Sequence, residues 1–160
     1  MSRLVDLAIF VSSIAALVVK PPFGYLLALA ISSPLLRRLK WLDRRRAYLY
    51  LALLAYAIAF AVDLAVGPRR QQVDIITADV LAPVVEEIVF RGIAFKILPT
   101  WGAIVISTVA FALLHPYPPL ALLYAVALTL AYMGGGLAAS TALHAVNNAI
   151  WTAIYLAPTR

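Results

Sequence analysis

From Ala47 to Val66 the chain runs twenty residues with a single charge, Asp63. Wound as a helix, that stretch reaches about 30 Å, the thickness of the hydrocarbon core of a bilayer. Six further apolar blocks accompany it. Leu4 to Val19 ends at Lys20-Pro21-Pro22, and Phe23 to Leu36 precedes a basic loop. Asp79 to Leu98 stops at Pro99, and Trp101 to His115 is ended by Pro116, Pro118 and Pro119. The next block runs to Met133 and is closed by Gly134-Gly135-Gly136, after which comes Leu137 to Leu156. No strand-like alternation competes with this pattern and no internal repeat is visible. The 160 residues therefore predict one all-α membrane domain over 1–160, a polytopic transmembrane helix bundle of six or seven hydrophobic segments. Several segments are too short to cross alone, which implies tilted, half-spanning or re-entrant helices. The first two predict a hairpin across the proline pair.

Composition excludes the main competitors. The chain is 64% hydrophobic and 12% charged, where soluble domains are about half apolar and about a quarter charged. A water-soluble fold has too little interior to hide that much apolar surface. Cysteine is absent, which removes disulfides, thiol chemistry and cysteine-based zinc sites. The net charge of +6 does not signal nucleic acid, because Arg37, Arg38, Lys40, Arg44, Arg45 and Arg46 crowd one loop between apolar blocks. That distribution predicts a cytoplasmic Arg37–Arg46 loop of a protein in the cell membrane. It leaves Arg69 and Arg70, in the polar break Gly67 to Gln72, on the far side if the third block spans. The first block is read as a retained helix rather than a signal peptide: no small-residue cleavage site precedes Lys20, and Asp6 interrupts its flank.

The chemistry-bearing residues avoid the loops. The only two Glu are adjacent, Glu86-Glu87; the only His are His115 and His144, and the only Asn are Asn147 and Asn148. All six fall within or at the ends of apolar blocks. An ionisable group there costs at least about 2.5–3.5 kcal/mol on insertion scales, so it faces a partner or a wet cavity. Glu87 and Arg91 stand one helical turn apart and can pair, whereas Glu86 is rotated about 100° away from that geometry. One carboxylate can thus be neutralised while its neighbour stays free for chemistry. His144 and Asn148 share a helix face at a spacing of four. His115 ends its block just before Pro116, where the helix must open.

These residues form three motifs in order. Glu86-Glu87-Ile88-Val89-Phe90-Arg91 matches E-E-x-x-x-R, Phe111-Ala112-Leu113-Leu114-His115 matches F-x-x-x-H, and His144-Ala145-Val146-Asn147-Asn148 matches H-x-x-x-N. Each motif alone is weak, but three in order on successive apolar segments make a specific signal. In this the chain resembles the CAAX-protease and bacteriocin-processing (CPBP or Abi) family over about Asp79 to Leu156, its expected catalytic core. The resemblance implies a glutamate-dependent intramembrane endopeptidase. In it Glu86 and His115 would activate water, His144 and Asn148 would stabilise the oxyanion, and Glu87 and Arg91 would support them. Its substrate would be a peptide or protein, with prenylated C-terminal peptides within the family's range.

Plainer readings are a buried ion pair for Glu87 and Arg91, a helix-end histidine for His115, and interhelical hydrogen bonds for His144 and Asn148. At the level of function the alternatives are a non-enzymatic immunity or scaffold-type membrane protein and a small transporter using the buried carboxylates. The H-E-x-x-H helix signature is absent and Asn is a poor zinc ligand, so a metal-free site is the expectation, with a divalent ion not excluded. Asn147, Asp63 and Lys96 receive no catalytic role; Asp63 reads as an interfacial charge and Lys96 as a side chain reaching for the membrane surface.

Overall fold

In a computed structural model the described residues are 2–67 and 74–156, and they are helical throughout, with no strand among them. Arg69 and Arg70, on which the orientation argument partly turned, lie outside the described residues. Helix α1 (Arg3–Leu17) and α2 (Phe23–Ser32) fold against each other across Pro21-Pro22, with the Ser13 and Ser32 hydroxyls 2.9 Å apart. A 3₁₀ turn, Ser33–Arg38, leads into the basic loop, and α3 (Arg46–Val66) follows. Helix α4 (77–97) is continuous but widens into π turns at Thr77–Leu81 and Ile88–Ile93. Helix α5 (Thr100–Leu113) widens likewise at Ile106–Ala110.

The last 39 helical residues, Pro118–Leu156, are two helices rather than one. Drawn out straight they would be about 58 Å long. Yet the Trp151 indole N–H donates to the Tyr124 hydroxyl at 3.2 Å, although Gly136 lies between them. The chain therefore doubles back at Gly136 (φ 74°, ψ −167°), making an antiparallel hairpin of α6 (118–135) and α7 (137–156). The basic loop stitches this turn. Leu137 and Ala138 at the start of α7 donate their N–H groups to the carbonyls of Lys40 and Trp41, each at 3.0 Å, and the Gly134 carbonyl accepts from Arg45 N at 2.8 Å. Helix ends leave such groups unpaired, and in lipid each needs a partner within the protein.

Helix α4 is the axis of the bundle. Every residue from Val85 to Ala94 is buried, so no face of that stretch meets solvent or lipid. Its apolar side chains Val85, Ile88, Val89, Phe90 and Ile93 form one core with Phe10 of α1, Ala28 of α2, Phe111 of α5 and Leu128 of α6. Helix α3 packs instead on the α6–α7 hairpin through Tyr56 against Tyr124 and Phe60 against Trp151. Its outer face, including Leu53, Leu54 and Ile58, stays exposed, as expected where lipid is the neighbour. Among the described residues, two helical stretches are long and apolar enough to cross a membrane, Arg46–Val66 and Pro118–Leu156. The six or seven crossings expected from the blocks would need shorter helices as well: α1 has 15 residues and α2 has 10.

A Cβ on Gly136 would lie 2.8 Å from the Trp41 carbonyl and from Leu42 N, both backbone, in a conformation that L side chains rarely adopt. Gly136→Ala should therefore destabilise the protein by at least about 2 kcal/mol, combining backbone strain with a clash that cannot relax. Gly102→Ala serves as the control, because there the nearest atoms are 3.8 Å away and the helix gains from alanine. Denaturant titration in detergent should show loss of stability in the first variant alone.

Candidate active site

The spacing pairs Glu87 with Arg91 and leaves its neighbour Glu86 free, and the packing of α4 puts the two carboxylates in different surroundings. Glu87 and Arg91 are both 0% exposed, with Arg91 Nη1 donating to Glu87 Oε1 at 2.9 Å. Arg91 Nη2 donates to the Ser107 carbonyl of α5 at 3.0 Å, and the guanidinium stacks over the Phe111 ring with Cζ 4.2 Å from its centroid. The Ser107 hydroxyl in turn donates to the Phe90 carbonyl. The two π turns, Ile88–Ile93 and Ile106–Ala110, thus lie against each other and exchange hydrogen bonds. Widened turns of this kind are rare and frequently lie at functional sites. The second partner of Glu87 Oε1 is His144 Nδ1 on α7, at 3.0 Å. A carboxylate only accepts, so the proton on Nδ1 belongs to the imidazole.

Glu86 faces the other way. Its Oε1 accepts from the Tyr25 hydroxyl of α2 at 2.7 Å. Its Oε2 is buried, has no hydrogen-bond partner among the described residues, and lies 3.8 Å from His115 Nε2 and 3.9 Å from His144 Nε2. Those separations exceed a direct hydrogen bond and suit a bridging small group. His115 follows the end of α5, and its ring is fixed by Nδ1 against the Phe111 carbonyl at 2.8 Å. A carbonyl also only accepts, so Nδ1 carries a proton and Nε2 is the ring nitrogen turned toward Glu86.

The arrangement opens on a cavity of about 290 Å³ whose walls include Tyr25, Glu86, His115, Tyr124, His144 and Asn148. Asn148 enters it from α7 with one amide hydrogen donated to the Ala78 carbonyl at 2.7 Å, which leaves the second free to point elsewhere. The structure thus brings His115 and His144 within 4 Å of one Glu86 oxygen. Asn148 lines the same cavity without touching the three, and Glu87 with Arg91 sits behind them. Asn147 braces its neighbour, its amide donating to Asn148 Oδ1 at 3.4 Å. Among the described residues no group of three or more His, Asp or Glu has the disposition of a metal site.

Sequence reasoning passes over two contributors, Tyr25 and Asp63. Tyr25 lies 61 residues before its partner, and nothing local marks it. Asp63, read as an interfacial charge, is buried, accepts from the Tyr124 hydroxyl at 3.1 Å and lines the cavity. Lys96, read as reaching for the membrane surface, stands 3.8 Å from Asp6 of α1. The early signal for Asp63 was its charge inside an apolar block.

Removing one member of a fully buried ion pair strands the other, which typically costs about 3–5 kcal/mol, whereas replacing both is far milder. Glu87→Gln and Arg91→Met should each lower stability by that order, and the double variant by distinctly less than their sum. A double-mutant cycle of denaturant titrations measures this coupling.

A family model described as type II CAAX prenyl endopeptidase Rce1-like matches residues 68–150. That span contains all three motifs. No curated protein and no solved structure matches the chain.

Proposed function

The chain belongs to the type II CAAX prenyl endopeptidase Rce1-like family, membrane-embedded proteases, and on that premise we propose that it cleaves peptide bonds with water activated by Glu86 and His115. The observation that carries the reading is Glu86 Oε2, buried, without a hydrogen-bond partner among the described residues, and facing two histidine nitrogens at 3.8 and 3.9 Å on a cavity wall. A water held there gives one proton to the Glu86 carboxylate while its other hydrogen is bonded by His115 Nε2. Its oxygen then bonds to the scissile carbonyl carbon, and the carbonyl electron pair moves onto oxygen. When the tetrahedral species collapses, the C–N bond breaks and Glu86 returns the proton to the leaving amine. A positioned base of this kind contributes about 10²–10⁴-fold.

His144 and the free Asn148 amide hydrogen are the oxyanion donors in this reading. Because His144 Nδ1 is committed to Glu87, donation from Nε2 requires the doubly protonated ring, a cation that the Glu87 carboxylate stabilises directly. Arg91 holds Glu87 in place for that task. Tyr25 fixes the orientation of Glu86 by engaging Oε1, so that Oε2 is the oxygen presented to water. The substrate is a peptide or protein whose scissile bond reaches the cavity, prenylated C-terminal peptides being the first class suggested by the family. We place the whole of 1–160 in one domain of the cell membrane, with the core at about 79–156, shorter helices entering as tilted or partial spans, and the Arg37–Arg46 loop cytoplasmic.

Purified protein in liposomes, offered a panel of fluorogenic prenylated peptides, should cleave at least one. Glu86→Gln keeps the size of the side chain and an acceptor for Tyr25, yet should lower kcat by about 10²–10⁴-fold. Asn148→Ala should lower it by about 10²–10³-fold. Undiminished cleavage by a folded Glu86→Gln protein would remove the reading. A strong chelator should leave the wild-type rate unchanged; loss of activity restored by zinc would replace the metal-free mechanism with a metal-assisted one.

A further inference from the structure

A second cavity, of about 310 Å³, opens where the basic loop meets the ends of α4 and α6. Arg38, Lys40, Arg45 and Lys96 line it, together with Phe95 and Tyr132. Two carboxylates attend these four cations. Asp6 lies 3.6 Å from Arg38 Nη1 and 3.8 Å from Lys96 Nζ, both long for hydrogen bonds. Asp43 is engaged by Lys40 and lies 3.4 Å from Arg45 Nε. Hydrogen bonds from Lys40 and the Arg44 N–H hold its carboxyl below the usual carboxylate range, so it counts as a full negative charge. Among the described residues the cavity still has two more positive than negative charges around it. The Arg45 side chain is 62% exposed and that of Lys96 20%, so the lysine reaches in from the protein while the arginine stands at the mouth.

Depth within the membrane follows from the surroundings. The C-terminal ends of α4 and α6 and the N-terminal ends of α3, α5 and α7 all gather at this level. Trp101, beside the lining residue Thr100, is 80% exposed, and Trp41 and Leu42 of the loop are exposed as well. Exposed tryptophans beside clustered Arg and Lys mark the headgroup layer of a bilayer. The Phe95 and Tyr132 rings, 4.8 Å apart, give the cavity an apolar wall next to its cations. A ligand that matches carries a phosphate anion on an apolar body.

We propose that this cavity is a binding site for an anionic phospholipid, its phosphate held by Lys40, Arg45, Arg38 and Lys96 and its glycerol end against Phe95 and Tyr132. Basic pockets between helices at the membrane surface are suited to such headgroups. The site is separate from the candidate active site, and its occupancy does not depend on peptidase activity.

Native mass spectrometry of the full-length protein, incubated with equal amounts of phosphatidylglycerol and phosphatidylcholine, tests it. The wild type should retain one phosphatidylglycerol in preference to phosphatidylcholine. Lys40→Gln/Arg45→Gln should weaken that retention by about thirtyfold, from about fivefold for each basic group at an anionic surface. The control Arg37→Gln/Arg44→Gln removes the same charge from the same loop outside the cavity and should retain the lipid. Equal loss in both double variants would overturn the site in favour of diffuse surface attraction. Equal retention of the two lipids would overturn it too. Inorganic phosphate supplies the remaining arm. Failure to displace the lipid at millimolar concentration supports a lipid occupant, and displacement of both lipids alike would make free phosphate the ligand and overturn the proposal.

Discussion

Burying an unpaired charge is among the most costly things a fold can do, and Arg91 and Glu87 have no exposed surface at all. Their mutual pairing alone would not suffice. Arg91 also reaches the Ser107 carbonyl and the Phe111 face, while Glu87 also accepts from His144. Three helices, α4, α5 and α7, are therefore held in register by the need to satisfy two side chains. The separation of roles between adjacent glutamates rests on this. With Glu87 committed inward, Glu86 is left on the cavity side of α4, where its second oxygen has no partner among the described residues.

The π turns belong to the same constraint. A regular α-helix would present Phe90 and Arg91 to α5 with a slightly different phase, and the reciprocal bonds at Ser107 form where both backbones are locally widened. Helix α5 then delivers His115 just past its end, where the Phe111 carbonyl of the final turn fixes the ring. Positions that look independent along the chain are thereby coupled: the ring tautomer of His115, the stacking of Phe111 on Arg91 and the placement of Glu87 form one connected set of contacts. Cation–π and charge-assisted bonds both strengthen where water is scarce.

Much of this was legible in the sequence, for physical reasons that apply to particular residues. Proline and glycine breaks marked the helix ends closely, as at Pro99 and Gly134-Gly135-Gly136, because those residues cannot continue a helix cheaply. The Glu87–Arg91 pair was legible because a spacing of four is a local geometric fact. Tyr25 was not, since its bond to Glu86 depends on how the α1–α2 hairpin packs against α4, and no periodicity encodes that. Asp63 was misjudged for the related reason that position near a block end says nothing of which helix lies opposite. The number of membrane crossings also stayed undetermined by pattern, because α1 and α2 are apolar enough for lipid but too short to reach across unaided.

The stitched turn at Gly136 carries a consequence for biogenesis. The groups that complete the beginning of α7 are the carbonyls of Lys40 and Trp41, made about a hundred residues earlier in synthesis. Chains emerge from the ribosome N-terminus first, so the docking platform for the last helix exists before that helix is translated. The final segment, which delivers His144 and Asn148, can dock on arrival onto a template already in the membrane. Lesions in the loop between α2 and α3 would then surface as failures of the C-terminal helix to seat, far along the chain from the altered residue.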